Sequence, residues 1–453
     1  CAAFVLVAAS GPVLAQQQGN GQLAAVVAAY EQLDRHADPL TAGGEGDREA
    51  LRRLPDVSPE AQAALRRDLV ALRGQLTQVP DHGLSDADTI NRSFLMRVIS
   101  ERIEGLDFDE ARAPISNGDG FFTTMTGLAY NTPIQSAADA EAWLARLRAT
   151  PLYYQQSIAN ARRGIATRWV QPRIVADRAL ATARAELGTM TDTLMMPLAQ
   201  MPDTVPAADQ ERYRAQARAI IHDQILPAQQ AAVTFLQTEY VPRSRATIGL
   251  SAMPHGRDYY RYLARSYTTT DMTPELIHAL GESEVARIRA AMEREIAASG
   301  FHGDFAAFLN FLHTDPQFYA HSADELVMRY SETAKRADGQ LPRLFGTLPR
   351  LPYGIRVIPA ENAEGNTTAY YGQGSPTLGV SGTYWVNTTH LDQRPLYEMP
   401  ALTLHEAMPG HHLQIALAQE QGELPYYRRN ANVTAFIEGW GLYSESLGAD
   451  MGM

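Results

Sequence analysis

The stretch LTLHEAMPGHHLQ, residues 402–414, decides how this chain is read. It opens with His405-Glu406, the first half of the zinc-binding pattern H-E-x-x-H, whose second histidine follows the first by four residues on the same helical face. Here that place is taken by Pro409, and the next histidines are His411 and His412. On a straight helix, a spacing of six turns the second side chain about 120° from the first and lifts it about 9 Å. His412, one residue further, regains the face but lies about 10 Å along the axis, too far to share one metal ion. A straight helix therefore cannot use this motif.

Met408-Pro409-Gly410 offers a way out. Proline removes a backbone donor and clashes with the preceding turn, and glycine tolerates the unusual dihedrals that follow. Together they predict a widened or broken turn that swings His411 back toward His405. Glu406 would still point into the same cleft, placed as a general base. The competing reading is a helix that simply ends, because such residues commonly follow a C-terminus.

A second stretch bears on the choice. TAFIEGWGLYSESLGADM begins at Thr434 and reads as a helix, with Glu438 inside the apolar run VTAFIEGWGLY. A buried carboxylate needs a partner or a metal, so Glu438 is a candidate third ligand. Glu445 lies seven residues on, hence on the same face, and is a candidate to orient a metal-binding histidine through its free ring nitrogen.

The chain around these motifs has ordinary globular composition: 453 residues, 45% hydrophobic and 20% charged. Its net charge is −12 and no Lys/Arg cluster stands out, which argues against nucleic-acid binding. CAAFVLVAASGPVLA at residues 1–15 reads as the remnant of a secretory signal, with cleavage before Gln16, and predicts an exported, periplasmic protein. Cys1 is the only cysteine, so the mature chain would have no disulfide chemistry. No stretch reads as a stable membrane span.

Residues 16–23 read as a polar linker. Residues 24–245 read as a helical part, with Ser58-Pro59 opening one helix. Residues 246–453 read as the part carrying the metal site. There Thr273-Pro274-Glu275 opens a helix, and YGIRVIPA and NTTAYYGQGSPTLGVSGTYWVNTT read as short strands with a hairpin. Helix returns at MPALTLHEA. The expected fold is mainly α, with one small mixed or antiparallel sheet beside the metal-site helices.

TLHEAMPGHHLQ, FIEGWGLYSE, GRDYYRYLARSYTTTDMTPELIHALGESEVARI and SGTYWVNTT resemble the bacterial domain-of-unknown-function 885 family. The resemblance runs from about residue 25 to 453. That family is grouped with gluzincin-type metallopeptidases, and many of its members are exported or lipoproteins. The resemblance implies a multi-helix metallopeptidase-like fold holding Zn²⁺. The H-E-x-x-G-H spacing of dipeptidyl peptidase III-like enzymes is similar, which implies that Gly410-His411 carries the second ligand, with His411 preferred over His412. Family members continue past E-G-W, so the chain is read as truncated at both ends.

The expectation is a zinc metallopeptidase acting on exported peptides, with His405, His411 and Glu438 as ligands and Glu406 as base. The rival is an exported metal- or peptide-binding protein on the same fold. Tyr384, Tyr443 and His390 are weak candidates for donors to a developing oxyanion. His412 is a weak candidate for supporting the ligands, and SGTYWVNTT for pairing with a peptide substrate as an added strand.

Overall fold

A computed structural model describes residues 11–364, 366–422 and 424–453, with side chains from residue 21 onward, that of residue 361 excepted. Residues 1–10 of the expected signal remnant lie outside the described residues. The first helix, α1 (Gly11–Ala37), already contains the polar stretch 16–23, which is helical where a linker was expected. Glutamine is a good helix former, so polarity alone does not break a helix.

The expected start signals work as read. Ser58 caps α2 (Pro59–Thr77) by accepting the Ala61 amide, with proline at the first helical position. After α2 come α3 (Asp86–Phe108), α4 (Ala137–Thr167), α5 (Arg173–Met195) and a helical rod over 207–243. Leu23, Val26 and Tyr30 of α1 meet Leu69, Leu72 and Leu76 of α2 and Leu95, Ile99 and Ile103 of α3 in one buried cluster. The three- and four-residue spacings put each triplet on one helical face. Each such side chain contributes about 1.5–3 kcal/mol by leaving water. A second buried layer joins α4, α5 and the rod through Trp143, Leu147, Leu194 and Ile221.

Further helices follow, among them α6 (Gly256–Thr268), α7 (Pro274–Ala298), capped by Thr273, and α8 (Ala323–Gln340). Then comes the sheet, with strands β1 (Tyr353–Val357), β2 (Ala369–Gly372) and β3 (Gly382–Val386). Their order is β1-β3-β2; β3 runs parallel to β1 and antiparallel to β2, so the sheet is mixed. The segment SGTYWVNTT therefore supplies the central strand, buried at all five positions and paired on both sides. A central strand has no free edge, so it cannot take a substrate as an added strand, contrary to expectation.

Next come α9 (Met399–Glu406), α10 (His411–Glu420), α11 (Tyr426–Asn430) and α12 (Thr434–Ser446), followed by a short last helix, Gly448–Met451. Among the described residues, no helix is long and apolar enough to cross a membrane.

Contacts run freely across residue 245. Tyr427 of α11 sits in the α1–α3 cluster, edge-on to Tyr30, and its hydroxyl donates to the Asn91 carbonyl at 2.7 Å. Arg429 pairs with Glu45 at 3.0 Å, and the Ser375 hydroxyl donates to the Gly44 carbonyl at 2.5 Å. The segment carrying the site is thus seated on the N-terminal helices. Tyr427→Ala should lower stability by about 3–5 kcal/mol, as for other large aromatic truncations in a core. Urea denaturation followed by circular dichroism would show this as a drop in midpoint. An unchanged midpoint would mean that this contact does not hold the two parts together.

Candidate metal centre

The motif helix breaks outright. α9 ends at Glu406, α10 begins at His411, and Ala407–Gly410 between them is not helical. Ala407 takes φ −99°, ψ −114° and Gly410 takes φ −75°, ψ −129°, and the Met408–Pro409 peptide is cis. A Cβ on Gly410 would run into the carbonyl oxygens of His405 and Leu404, so only glycine lets the chain double back here. The break is more severe than a single widened turn.

The freed backbone groups find partners. The His412 amide donates to the Ala407 carbonyl at 3.2 Å, and the Trp440 indole N–H donates to the Pro409 carbonyl at 2.8 Å. Trp440 thereby ties α12 to the break. Gly441 serves the same junction, because a Cβ there would lie 2.6 Å from His405 Cε1 and 2.7 Å from its Nε2. Within E-G-W-G, Glu438 supplies a carboxylate, Trp440 clamps the break and Gly441 admits the His405 ring.

The result is a cluster in which one ligand atom each from His405, His411 and Glu438 lies within 4.8 Å of the others. The two imidazole rings are 4.6 Å apart and nearly perpendicular. His405 Nδ1 donates to Glu445 Oε1 at 2.8 Å, as the same-face spacing predicted. Because a carboxylate accepts, that bond fixes a proton on Nδ1, and Nε2 faces Glu438 Oε2 at 3.3 Å. Two lone pairs cannot face each other so closely without a proton or a metal ion between them. His411 Nε2 is 3.9 Å from Glu438 Oε2 and 4.0 Å from Glu406 Oε2, too far for hydrogen bonds. His411 Nδ1 is buried without a hydrogen-bond partner. Among the described residues, no Lys or Arg pairs with Glu406, Glu438 or Glu445.

With this geometry in view, comparison with known proteins gives one clear result. The family model described as "Bacterial protein of unknown function (DUF885)" matches residues 39–453. The chain belongs to the DUF885 family. No curated protein matches it. A crystal structure described as a "putative lipoprotein" from Colwellia psychrerythraea superposes with a TM-score of 0.85 at 22% identity, covering 97% of this chain and 78% of that one. Another, described as a "putative lipoprotein of unknown function" from Shewanella oneidensis, gives a TM-score of 0.61 at 15% identity, covering 96% and 78%. At these identities the likeness shows a shared fold.

In this DUF885 chain Glu406 is buried beside the cluster, and its Oε2 accepts the Tyr371 amide of β2 at 2.8 Å. Burial pushes its carboxyl up to about 7; Glu438 and Glu445 push the same way, while His405 and the Tyr371 amide oppose. Burial and the neighbouring His405 push His411 down.

Glu438 is not buried as expected: its side chain is 54% exposed. The apolar run conceals a helical stripe in which Gly441 and Ser444 face inward, while Glu438 borders a cavity of about 1050 Å³. His412 is 1% exposed and engaged at both nitrogens. Its Nε2 donates to the Leu351 carbonyl at 3.0 Å, so its Nδ1 accepts from the Tyr371 hydroxyl at 3.0 Å. Burial pushes this ring down to about 4, so it stays neutral and joins α10 to the sheet. Gly382 makes room for the pair, since a Cβ there would meet the Tyr371 hydroxyl and lie 2.8 Å from His412 Nδ1.

The three weak donor candidates are not drawn into the cluster. Tyr384 is fully buried, edge-on to Tyr330. Tyr443 is half exposed and packs at a tilt against Trp440. His390 pairs with Glu364 at the surface. Sequence reasoning missed Tyr371, because nothing in spacing links a strand residue to a helix that follows 30 residues later. His412→Leu would strand the Leu351 carbonyl and the Tyr371 hydroxyl, costing about 2–4 kcal/mol. Urea denaturation in the presence of a chelator measures that loss free of any metal contribution, and unchanged stability would refute the bridging role.

Proposed function

We propose that this protein is an exported zinc-dependent peptidase. The observation that carries the reading is the cluster itself. Two histidines and a glutamate converge, with His405 Nε2 3.3 Å from a Glu438 oxygen and His411 Nδ1 without a partner, and a buried fourth group, the Glu406 carboxyl, stands beside them. Two imidazole nitrogens and one carboxylate oxygen are a donor set that suits catalytic zinc. Held by His405, His411 and Glu438, zinc would supply Lewis acidity to a scissile carbonyl and to the attacking water. Export is supported by the apolar start of the sequence and by the lipoprotein descriptions of the two structural neighbours.

The chain's own residues supply the rest. The Tyr371 amide fixes one Glu406 oxygen and leaves the other to take a proton from water. Glu406 then returns that proton to the amide nitrogen as the C–N bond breaks, giving an acid and an amine. Glu445 holds the His405 ring in one tautomer. For the substrate backbone, β2 replaces β3 as the strand to pair with. The Asn387 amide donates inward to the Thr368 carbonyl, so alternation turns Tyr371 outward. Tyr371 and Gln373 both line the large cavity, where an extended peptide could lie along this edge.

Three outcomes follow. His405→Ala, His411→Ala and Glu438→Ala should each lose stoichiometric zinc by elemental analysis, whereas His412→Leu should keep it. A full zinc equivalent in any of the first three would overturn the ligand set. Gly441→Ala should also lose zinc, by displacing the His405 ring, while keeping its helical circular dichroism. Glu406→Gln should retain zinc and lose about a hundredfold or more in peptide hydrolysis. Equal turnover by this variant and the parent would sink the mechanism. No turnover by the zinc-loaded parent across a broad peptide library would leave a binding protein.

A further inference from the structure

The large cavity beside the cluster carries more information than its size. His411 and Glu438 line it, and so do several charged groups well away from the break. Most of those groups are already answered. Asp139 pairs with Arg48 at 2.6 Å, and Glu45 pairs with Arg429 at 3.0 Å. Asp38 caps the short helix Pro39–Gly44, accepting the Leu40 and Thr41 amides. Arg146 is 2% exposed and spends its guanidinium on the carbonyls of Arg53, Pro39 and Ala50, a structural tie between loops.

Arg428 is the exception. It is half-buried in the cavity wall, and among the described residues its guanidinium makes one hydrogen bond, from Nη1 to the neutral Asn91 Oδ1 at 3.1 Å. Among the described residues it has no carboxylate partner. A guanidinium carries five donors in a planar fork, and a half-buried one without a countercharge is matched best by a bidentate carboxylate. The same wall presents apolar surface from Ile90, Phe94 and Phe436. A volume of about 1050 Å³ is at the upper end of that of ligand pockets, suited to a few residues of peptide rather than a long chain.

We propose that Arg428 is a specificity-determining residue that binds the C-terminal carboxylate of a short peptide, so that cleavage falls near the substrate's C-terminus. This rests on the peptidase reading for the cleavage and on the cavity alone for the binding. The recognised chemistry is a carboxylate, which a peptide offers at its terminus or on an acidic side chain.

The experiment measures binding of fluorescein-labelled tri- to pentapeptides to the full-length, zinc-loaded Glu406→Gln protein by anisotropy. Each peptide is compared as the free acid and as the C-terminal amide, and a second pair exchanges Glu for Gln inside the sequence. The free acid is expected to bind at least tenfold tighter than the amide, with little effect of the internal exchange. Adding Arg428→Gln should erase the preference while zinc content and melting temperature stay unchanged, and Arg428→Lys should restore part of it. Equal binding of acid and amide by the Arg428-containing protein overturns the proposal even if the variants do not fold. A preference that follows the internal Glu instead overturns the terminal assignment. Hydrolysis by the parent is scored separately: its absence would count against the peptidase reading, while the acid-over-amide preference would still decide the role of Arg428.

Discussion

Everything at this site depends on the backbone leaving the helix between Glu406 and His411. Two histidines six residues apart cannot meet on a continuous helix, so the chain must double back, and doing so frees backbone groups that need new partners. Here the partners come from outside the motif. The Trp440 indole takes the Pro409 carbonyl, and α12 can approach so closely only because residue 441 has no side chain. The H-E-A-M-P-G-H and E-G-W-G pieces are therefore two halves of one junction. The first creates a break, and the second covers it and delivers Glu438.

Electrostatics set the junction apart from the rest of the surface. Glu406, Glu438 and Glu445 gather around His405 and His411, and among the described residues no Lys or Arg pairs with them. Elsewhere carboxylates are matched in the ordinary way, as in Arg162 with Glu239 or Arg265 with Glu104. A concentration of negative charge in a half-buried place is costly unless a proton or a cation offsets it. His412 makes the contrast. Adjacent in sequence, it is fully occupied by Leu351 and Tyr371, and it acts as a strut between α10 and the sheet.

The sheet matters for the edge it exposes. β3 lies centrally and is buried at every position, and β2, at the edge, meets the site. One amide of that edge already holds Glu406, so the proposed base and the strand proposed to meet a substrate are fixed relative to each other. On the far side, α3 and α11 line the wall that carries Arg428, and both pack with α1 and α2 in one buried cluster.

Much of this was legible in the sequence. The caps at Ser58 and Thr273, the three strands, and the helix that ends at His405-Glu406 all follow from local rules of capping and alternation. The pairing of Glu445 with His405 was legible too, because it needs only one helical period and one candidate ligand to orient. What local rules could not decide were contacts between segments distant in the chain. Likeness to other proteins favoured His411 over His412, but the physical reason is tertiary: Leu351 and Tyr371 consume both nitrogens of His412. The apolar run around Glu438 suggested burial, yet which face of α12 turns inward is set by the fit of Gly441 against His405. Tyr371, Trp440 and Arg428 gain their roles in the same way. Spacing along the chain fixes which side chains share a face, and only the packing of one face on another fixes what each side chain meets.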